Sequence, residues 1–170
     1  LDWTGRPDAP TAGDVRLKIE SSGLVSRLFT VDDTYAASVA PGFCAQSSVF
    51  QAHEGSRHRD TRITFDPGTH RASYLEKDLV KGSAVTLDTG VPDCVHDLIG
   101  GLVSLRYLRL DPGHSTQVAV SNGKESVMAK VEAQRTEQIK TEFGTFDSVL
   151  YEIYLFDNVL RSEEHTSELQ

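Results

Sequence analysis

Two cysteines, Cys44 and Cys94, are the only ones in the chain. Cys94 lies two residues before His96. A thiol at a helix N-terminus has a lowered pKa, and a neighbouring imidazole can serve as its base. That pairing is the chemistry of a thiol enzyme or hydrolase using Cys94. Residues two apart on a helix do not face each other, however, which weighs against the pair acting together. The other chemistry open to these residues is a Cys44–Cys94 disulfide. In an exported chain it would tie the strand at Phe43 to the start of the following helix. Closing a loop of that length is worth on the order of 4 kcal/mol.

His53 and His58 flank a short turn near Glu54 and Asp60. A zinc site needs three or four ligands in tight geometry, so solvent-facing turn histidines are expected and no metal. Arg57, Arg59 and Arg62 form a small basic patch. Strand alternation places Arg57 and Arg59 on one face and Arg62 on the other, which reads as a solvated edge. There is no glycine-rich phosphate loop, nucleophile elbow or paired-histidine helix. No cofactor is therefore expected, and a non-enzymatic role leads.

One segment has to position these groups. Residues Val91 to Leu110 read VPDCVHDLIGGLVSLRYLRL. Val95, Leu98, Ile99 and Leu102 recur at i, i+3, i+4 and i+7, predicting a helix over about residues 93–106 with one apolar face. Asp93 is the expected cap. Asp97 supports the helix start or pairs with an arginine, Arg106 being the candidate. Gly100 and Gly101 each cost roughly 1 kcal/mol against alanine, which implies that something packs close to the helix there. Such a helix needs a sheet to cover its stripe.

The flanking sequence supplies strands. Val15, Leu17 and Ile19 alternate with polar residues, and Leu24 to Val31 is expected to return as a second strand after Ser21-Ser22-Gly23. Thr34 to Val39 continues it. Phe43 to Ala52 and Arg57 to Phe65 read as a hairpin closed by Glu54-Gly55-Ser56, and Asp66-Pro67-Gly68 leads back through Arg71 to Lys77. Asn122-Gly123 between Thr116–Val120 and Lys124–Gln134 is the strongest short hairpin signal. Phe143-Gly144-Thr145 is a further turn, and Ser148 to Leu160 a last strand.

Hydrophobic residues at 38% and charged residues at 25% describe an ordinary globular protein. A net charge of -8 argues against nucleic acid as a partner, since that demands a basic face. No apolar run reaches membrane-spanning length. Residues 1–13 read as a leader or linker, residues 14–160 as a single β-rich domain. Residues 161–170, RSEEHTSELQ, look like the in-frame translation of a common sequencing adapter. They are expected to be an artefactual tail that truncates the domain at its C-terminal side.

The motifs CVHDLIGGLVSLRYLRLDPG from Cys94 and VSNGKESVMAKVEAQRTEQIKTEFGTFDSVLYE from Val120 resemble the bacterial family known as the domain of unknown function numbered 3108. RDTRITFD at Arg59 to Asp66 fits its earlier hairpin. The family's Asp before a small helix ending in Leu-Arg falls on Asp97 and Leu105-Arg106, and its Gly-x-Phe on Gly144 and Phe146. Gly100 stands where the family usually has Ser. The resemblance implies an exported, periplasmic or other cell-envelope protein, whose signal peptide would be missing from this chain. It also implies a mainly β fold: a curved antiparallel sheet or open half-barrel with one α-helix packed on it, similar in outline to lipoprotein carriers. The expected function is binding of an apolar ligand, lipid or lipoprotein-like, in a sheet groove lined by Val95, Leu98, Ile99 and Leu102. The alternatives are an assembly module that binds another envelope protein, and the Cys94 enzyme.

Overall fold

A computed structural model describes residues 2–4 and 11–155. The expected tail at 161–170 and most of the expected leader lie outside the described residues. The strands in chain order are β1 (Asp2–Trp3), β2 (Gly13–Glu20), β3 (Asp32–Val39), β4 (Ala45–Glu54), β5 (Arg57–Asp66), β6 (Arg71–Asp78), β7 (Ser83–Gly90), β8 (Ser115–Ser121), β9 (Ser126–Thr141) and β10 (Gly144–Tyr154). A four-residue helical turn, α1 (Val25–Leu28), precedes β3, and α2 (Leu98–Ser104) follows β7. The fold is mainly β, as the sequence implies. One antiparallel sheet runs β1 to β7 in chain order, and a second has the order β10-β9-β8. Both are open.

The sequence suggests one domain over 14–160. The described residues group into two compact units, one holding those up to 108 with 119–126, the other 109–118 with 127–155. In the second unit β9 and β10 pair along their length, with a bulge between Leu150 and Tyr151. Gln134 bonds Glu152 at 3.0 Å and Gln138 bonds Asp147 at 3.0 Å across this ribbon.

In the first unit every strand joins its sequence neighbour, so each connection is a hairpin or short link. Glu54-Gly55-Ser56 and Asp66-Pro67-Gly68 turn the chain where the sequence places turns. The Asp66 carboxylate accepts from the Gly68 amide at 2.8 Å, the short polar side chain closing its own turn. Asn122-Gly123 also turns as expected. Gly123 takes φ +82°, and a Cβ there would lie 2.8 Å from Ile63, so both space and backbone demand glycine.

Three segments differ from the sequence expectation. Leu24 to Val31 is not a strand: α1 occupies its middle, and the Ser26 hydroxyl bonds back to the Gly23 carbonyl at 2.9 Å. Hydroxyl-to-backbone bonds of this kind compete with strand pairing. Asp2–Trp3, placed in the leader, pairs with Val15 and Arg16. β7 has no counterpart in the sequence reading, because its residues are exposed on both faces and show no burial alternation. It is recognisable only through its full pairing with β6.

The helix is also shorter than expected. It begins at Leu98 rather than near Asp93, and passes at Leu105–Tyr107 into a 3₁₀ turn. Cys94 takes φ +47°, which no helix tolerates. The Val95 carbonyl accepts from the Ala45 amide at 2.8 Å, and His96 bridges to Val120. Residues 95–96 therefore serve as extended backbone between β4 and β8, and Asp93 instead meets His70 at 2.6 Å. Val95 is buried with Ile63, Phe65 and Tyr74. Leu98 and Leu102 are 49% and 54% exposed, so of the expected helical stripe only Ile99 packs on the core. Beside Ile99 the helix packs through Gly100 and Val103, the latter joining Val15, Val39 and Phe43.

Cys44 and Cys94 are bonded, with Cα atoms 4.5 Å apart and a sequence separation of 50. The bond joins the start of β4 to the segment that leads into α2. Reduction should lower the unfolding free energy by about 4 kcal/mol, the loop-closure value for this span. Urea denaturation with and without reductant measures it; an unchanged midpoint would refute the expectation.

Candidate functional site

Strand alternation puts one row of residues from each strand on a common face of the first sheet. Register aligns them into rungs. One rung runs Val15, Ala37, Ser48, Ile63 and Tyr74; the next runs Leu17, Tyr35, Phe50, Thr61 and Glu76. Beyond these, Ala52 stands opposite Arg59, and Glu54 opposite Arg57. Read outward along β5, this face changes from Phe65 and Ile63 through Thr61 to Arg59 and Arg57. The apolar end is buried and the charged end is not.

The space over the second rung is open. A cavity of about 410 Å³ lies there, with Leu17, Ile19, Phe50, Ala52 and Ile63 as its apolar wall. Leu98 and Ile99, at the first turn of α2, form part of the lining. Of the four residues expected to line a groove, these two do so. Val95 lies in the core beneath, and Leu102 is exposed elsewhere on the helix.

The helix is held over the sheet by Asp97, which is 1% exposed. Its Oδ1 accepts from the Ile99 and Gly100 amides at 3.1 and 2.9 Å, which caps the helix. The same oxygen accepts from the Tyr35 hydroxyl on β3. Burial, and then the adjacent Asp97 carboxylate, push the Tyr35 phenol well above its usual range, so it remains a donor. Asp97 thus supports the helix start as expected, with Tyr35 rather than Arg106 as its side-chain partner. Gly100 follows from this geometry: a Cβ would lie 2.7 Å from Asp97 Oδ2 and 3.3 Å from Val39.

At the charged end, Glu76 stands between two cations. Its Oε1 lies 3.7 Å from Arg59 Nη1 and its Oε2 3.6 Å from Lys124 Nζ. The Tyr74 hydroxyl donates to Oε2 at 2.6 Å. That hydrogen bond first, then Lys124 and Arg59, hold the Glu76 carboxyl below its usual range, against burial. Lys124 also sits 4.7 Å above the Tyr74 ring, a cation–π distance. Arg57 and Glu54 complete the rim at 3.8 Å. The sequence reading splits Arg57 and Arg59 from Arg62 by face, but takes the patch for a solvated edge. Arg57 and Arg59 instead line the cavity.

Tyr35, Phe50, Glu76 and Lys124 are the lining residues that the sequence reading leaves out. The signal that could have found them is the mixture of apolar and charged residues on one strand face at Arg57, Arg59, Thr61 and Ile63. Gly144 takes φ +136° in the β9–β10 hairpin and Phe146 is half exposed there; neither lines the cavity. Arg106 lies in the 3₁₀ turn after α2. His53 and His58 stand opposite each other across β4 and β5, rings 5.0 Å apart and edge to face. Among the described residues, no group of three or more His, Cys, Asp or Glu side chains is arranged to hold a metal ion. Bonded to Cys44, Cys94 presents no free thiolate, so the thiol-enzyme alternative gains no support from this geometry.

The fold and site define an open antiparallel sheet with a half-roofed apolar cavity and a charged rim. The chain belongs to the family described as protein of unknown function DUF3108, which matches residues 11–168. Comparison with curated proteins and with solved structures returns no match. No described helix is long and apolar enough to cross a membrane.

Two outcomes follow from the site's geometry. Gly100→Ala should destabilise by about 1–3 kcal/mol through overpacking, opposite in sign to the helix-propensity gain of an ordinary Gly→Ala change. Thermal denaturation of the variant decides the sign. The lowered Glu76 pKa contributes stability that is complete above the ordinary glutamate range and is lost as pH falls through the lowered value. Glu76→Gln should therefore flatten the acid side of the stability–pH curve, measured by urea midpoints across that range.

Proposed function

We propose that this protein is a non-enzymatic, exported cell-envelope protein that binds an apolar ligand, of lipid type, against the inner face of its first sheet. The observation that carries the reading is the cavity of about 410 Å³ beside α2, walled by Leu17, Phe50, Ile63 and Leu98. Its size falls in the lower part of the roughly 300–1,000 Å³ range of small-molecule sites. That suits a single chain or ring system better than a whole multi-chain lipid. The Cys44–Cys94 bond supports an oxidising compartment. Unfilled space beside the core favours ligand binding over the assembly-module alternative, which calls for a solid interior.

The test is binding of the neutral apolar dye N-phenyl-1-naphthylamine, followed by fluorescence. The wild-type protein should bind it with one-to-one stoichiometry. Leu98→Asp places a carboxylate in the lining at the first position of α2, where the helix dipole tolerates it. It should weaken dye binding at least tenfold with the circular dichroism spectrum preserved. Absence of dye binding, or equal binding by the variant, would remove the reading.

A further inference from the structure

The rim of the cavity carries information beyond an apolar interior. Three cations, Arg57, Arg59 and Lys124, face two carboxylates, Glu54 and Glu76. The remaining acid of the wall, Asp97, lies buried at the helix start, where Oδ1 accepts from Tyr35 and the helix amides and Oδ2 has no partner. Over the whole lining the charges balance, but at the exposed mouth, away from Asp97, three cations stand against two carboxylates on a chain whose net charge is -8. The charge pairs at this rim are long, at 3.6 to 3.8 Å, outside the range of strong charge-assisted hydrogen bonds. Arg59 Nε is also buried with no hydrogen-bond partner. A buried donor in that state calls for an explanation. Arg59 and Lys124 share the Glu76 carboxylate, so neither has a carboxylate of the lining to itself.

Resting on the apolar-ligand reading above, we infer that the ligand is a single-chain amphiphile with an anionic head. Its carboxylate or phosphate sits among Arg57, Arg59 and Lys124, and its chain runs inward over Phe50 and Leu17 toward Leu98. The polarity of β5 sets this direction, charged at Arg57 and Arg59 and apolar at Ile63. An apolar ligand without a charge would leave the rim cations as they are; an anionic head offers an acceptor to Arg59 Nε, which has none, and a closer partner to Lys124. The Lys124 side chain, 46% exposed, has the freedom to meet a head group at the entrance.

The experiment displaces N-phenyl-1-naphthylamine from the whole protein with amphiphiles of equal chain length, all below their micelle concentrations. The set is dodecanoate, dodecyl phosphate, dodecanol and dodecyltrimethylammonium; acetate and inorganic phosphate provide the heads alone. Dodecanoate or dodecyl phosphate should bind about tenfold more tightly than dodecanol, the size of one charge-assisted hydrogen bond. Added salt should narrow that ratio. Arg59→Gln and Lys124→Gln should each narrow it to about threefold or less, while Lys81→Gln, a cation outside the lining, leaves it unchanged. Because Lys124 is exposed, its variant keeps the test valid if Arg59→Gln unfolds. Acetate and phosphate alone should not displace the dye; displacement by either would make this a simple anion site and overturn the inference. Equal binding of dodecanoate and dodecanol, or tighter binding of dodecyltrimethylammonium, would overturn the anionic head and leave the apolar-ligand reading standing. Dye that does not bind at all would remove the underlying reading itself.

Discussion

Much of the first unit depends on one buried carboxyl group. Asp97 accepts from two amides of α2 and from the Tyr35 hydroxyl on β3, so one side chain both starts the helix and fastens it to the sheet. A helix of seven residues has little stability of its own, since nucleation is unfavourable and few backbone bonds repay it. Its persistence rests on this cap, on the packing of Val103 with Val39 and Phe43, and on the disulfide just before it. Gly100 is the corollary, because the space that a methyl group would need is taken by Asp97 and Val39.

The cavity is the consequence of how little this helix covers. The inner face of the sheet is apolar at the rung of Val15, Ala37 and Ile63, and there the segment through Val91 and Val95 and the helix beyond it close the core. One rung farther out, at Leu17, Tyr35 and Phe50, the sheet continues but the cover ends. Farther out again the face turns charged. An apolar floor between a packed core and a charged rim is what the proposed ligand binding would use, since polar groups at a mouth can orient what an apolar wall holds. The Arg59–Glu76–Lys124 cluster gives that mouth its sign.

The hairpins were the most legible part of the chain. Turn residues such as Asp66 and the Asn122-Gly123 pair act locally, through a short side chain or a positive φ, and need no distant partner. The helix was legible as a helix but not in its extent. Val95 falls on the helical period by coincidence, because its burial comes from an extended segment bridging β4 and β8. The choice between Asp93 and Asp97 as cap could not be made locally, for both precede apolar residues; the positive φ of Cys94, beside its bond to Cys44, excludes the earlier start. β7 left no trace in the pattern because an edge strand with both faces in solvent has no burial alternation to impose.

From residue order alone, the chain's β character, most of its turns, its family and the capacity of its two cysteines to pair can be read. These follow from periodicity, from backbone restrictions of single residues and from motif likeness, all of which act over short spans of chain. Which leucines of α2 face water, which acid caps it, and that Arg57 and Arg59 share a cavity with Phe50 were decided only by the assembled sheet. Register across five strands and the reach of one short helix determine what is covered, and neither is encoded in any single stretch of the chain.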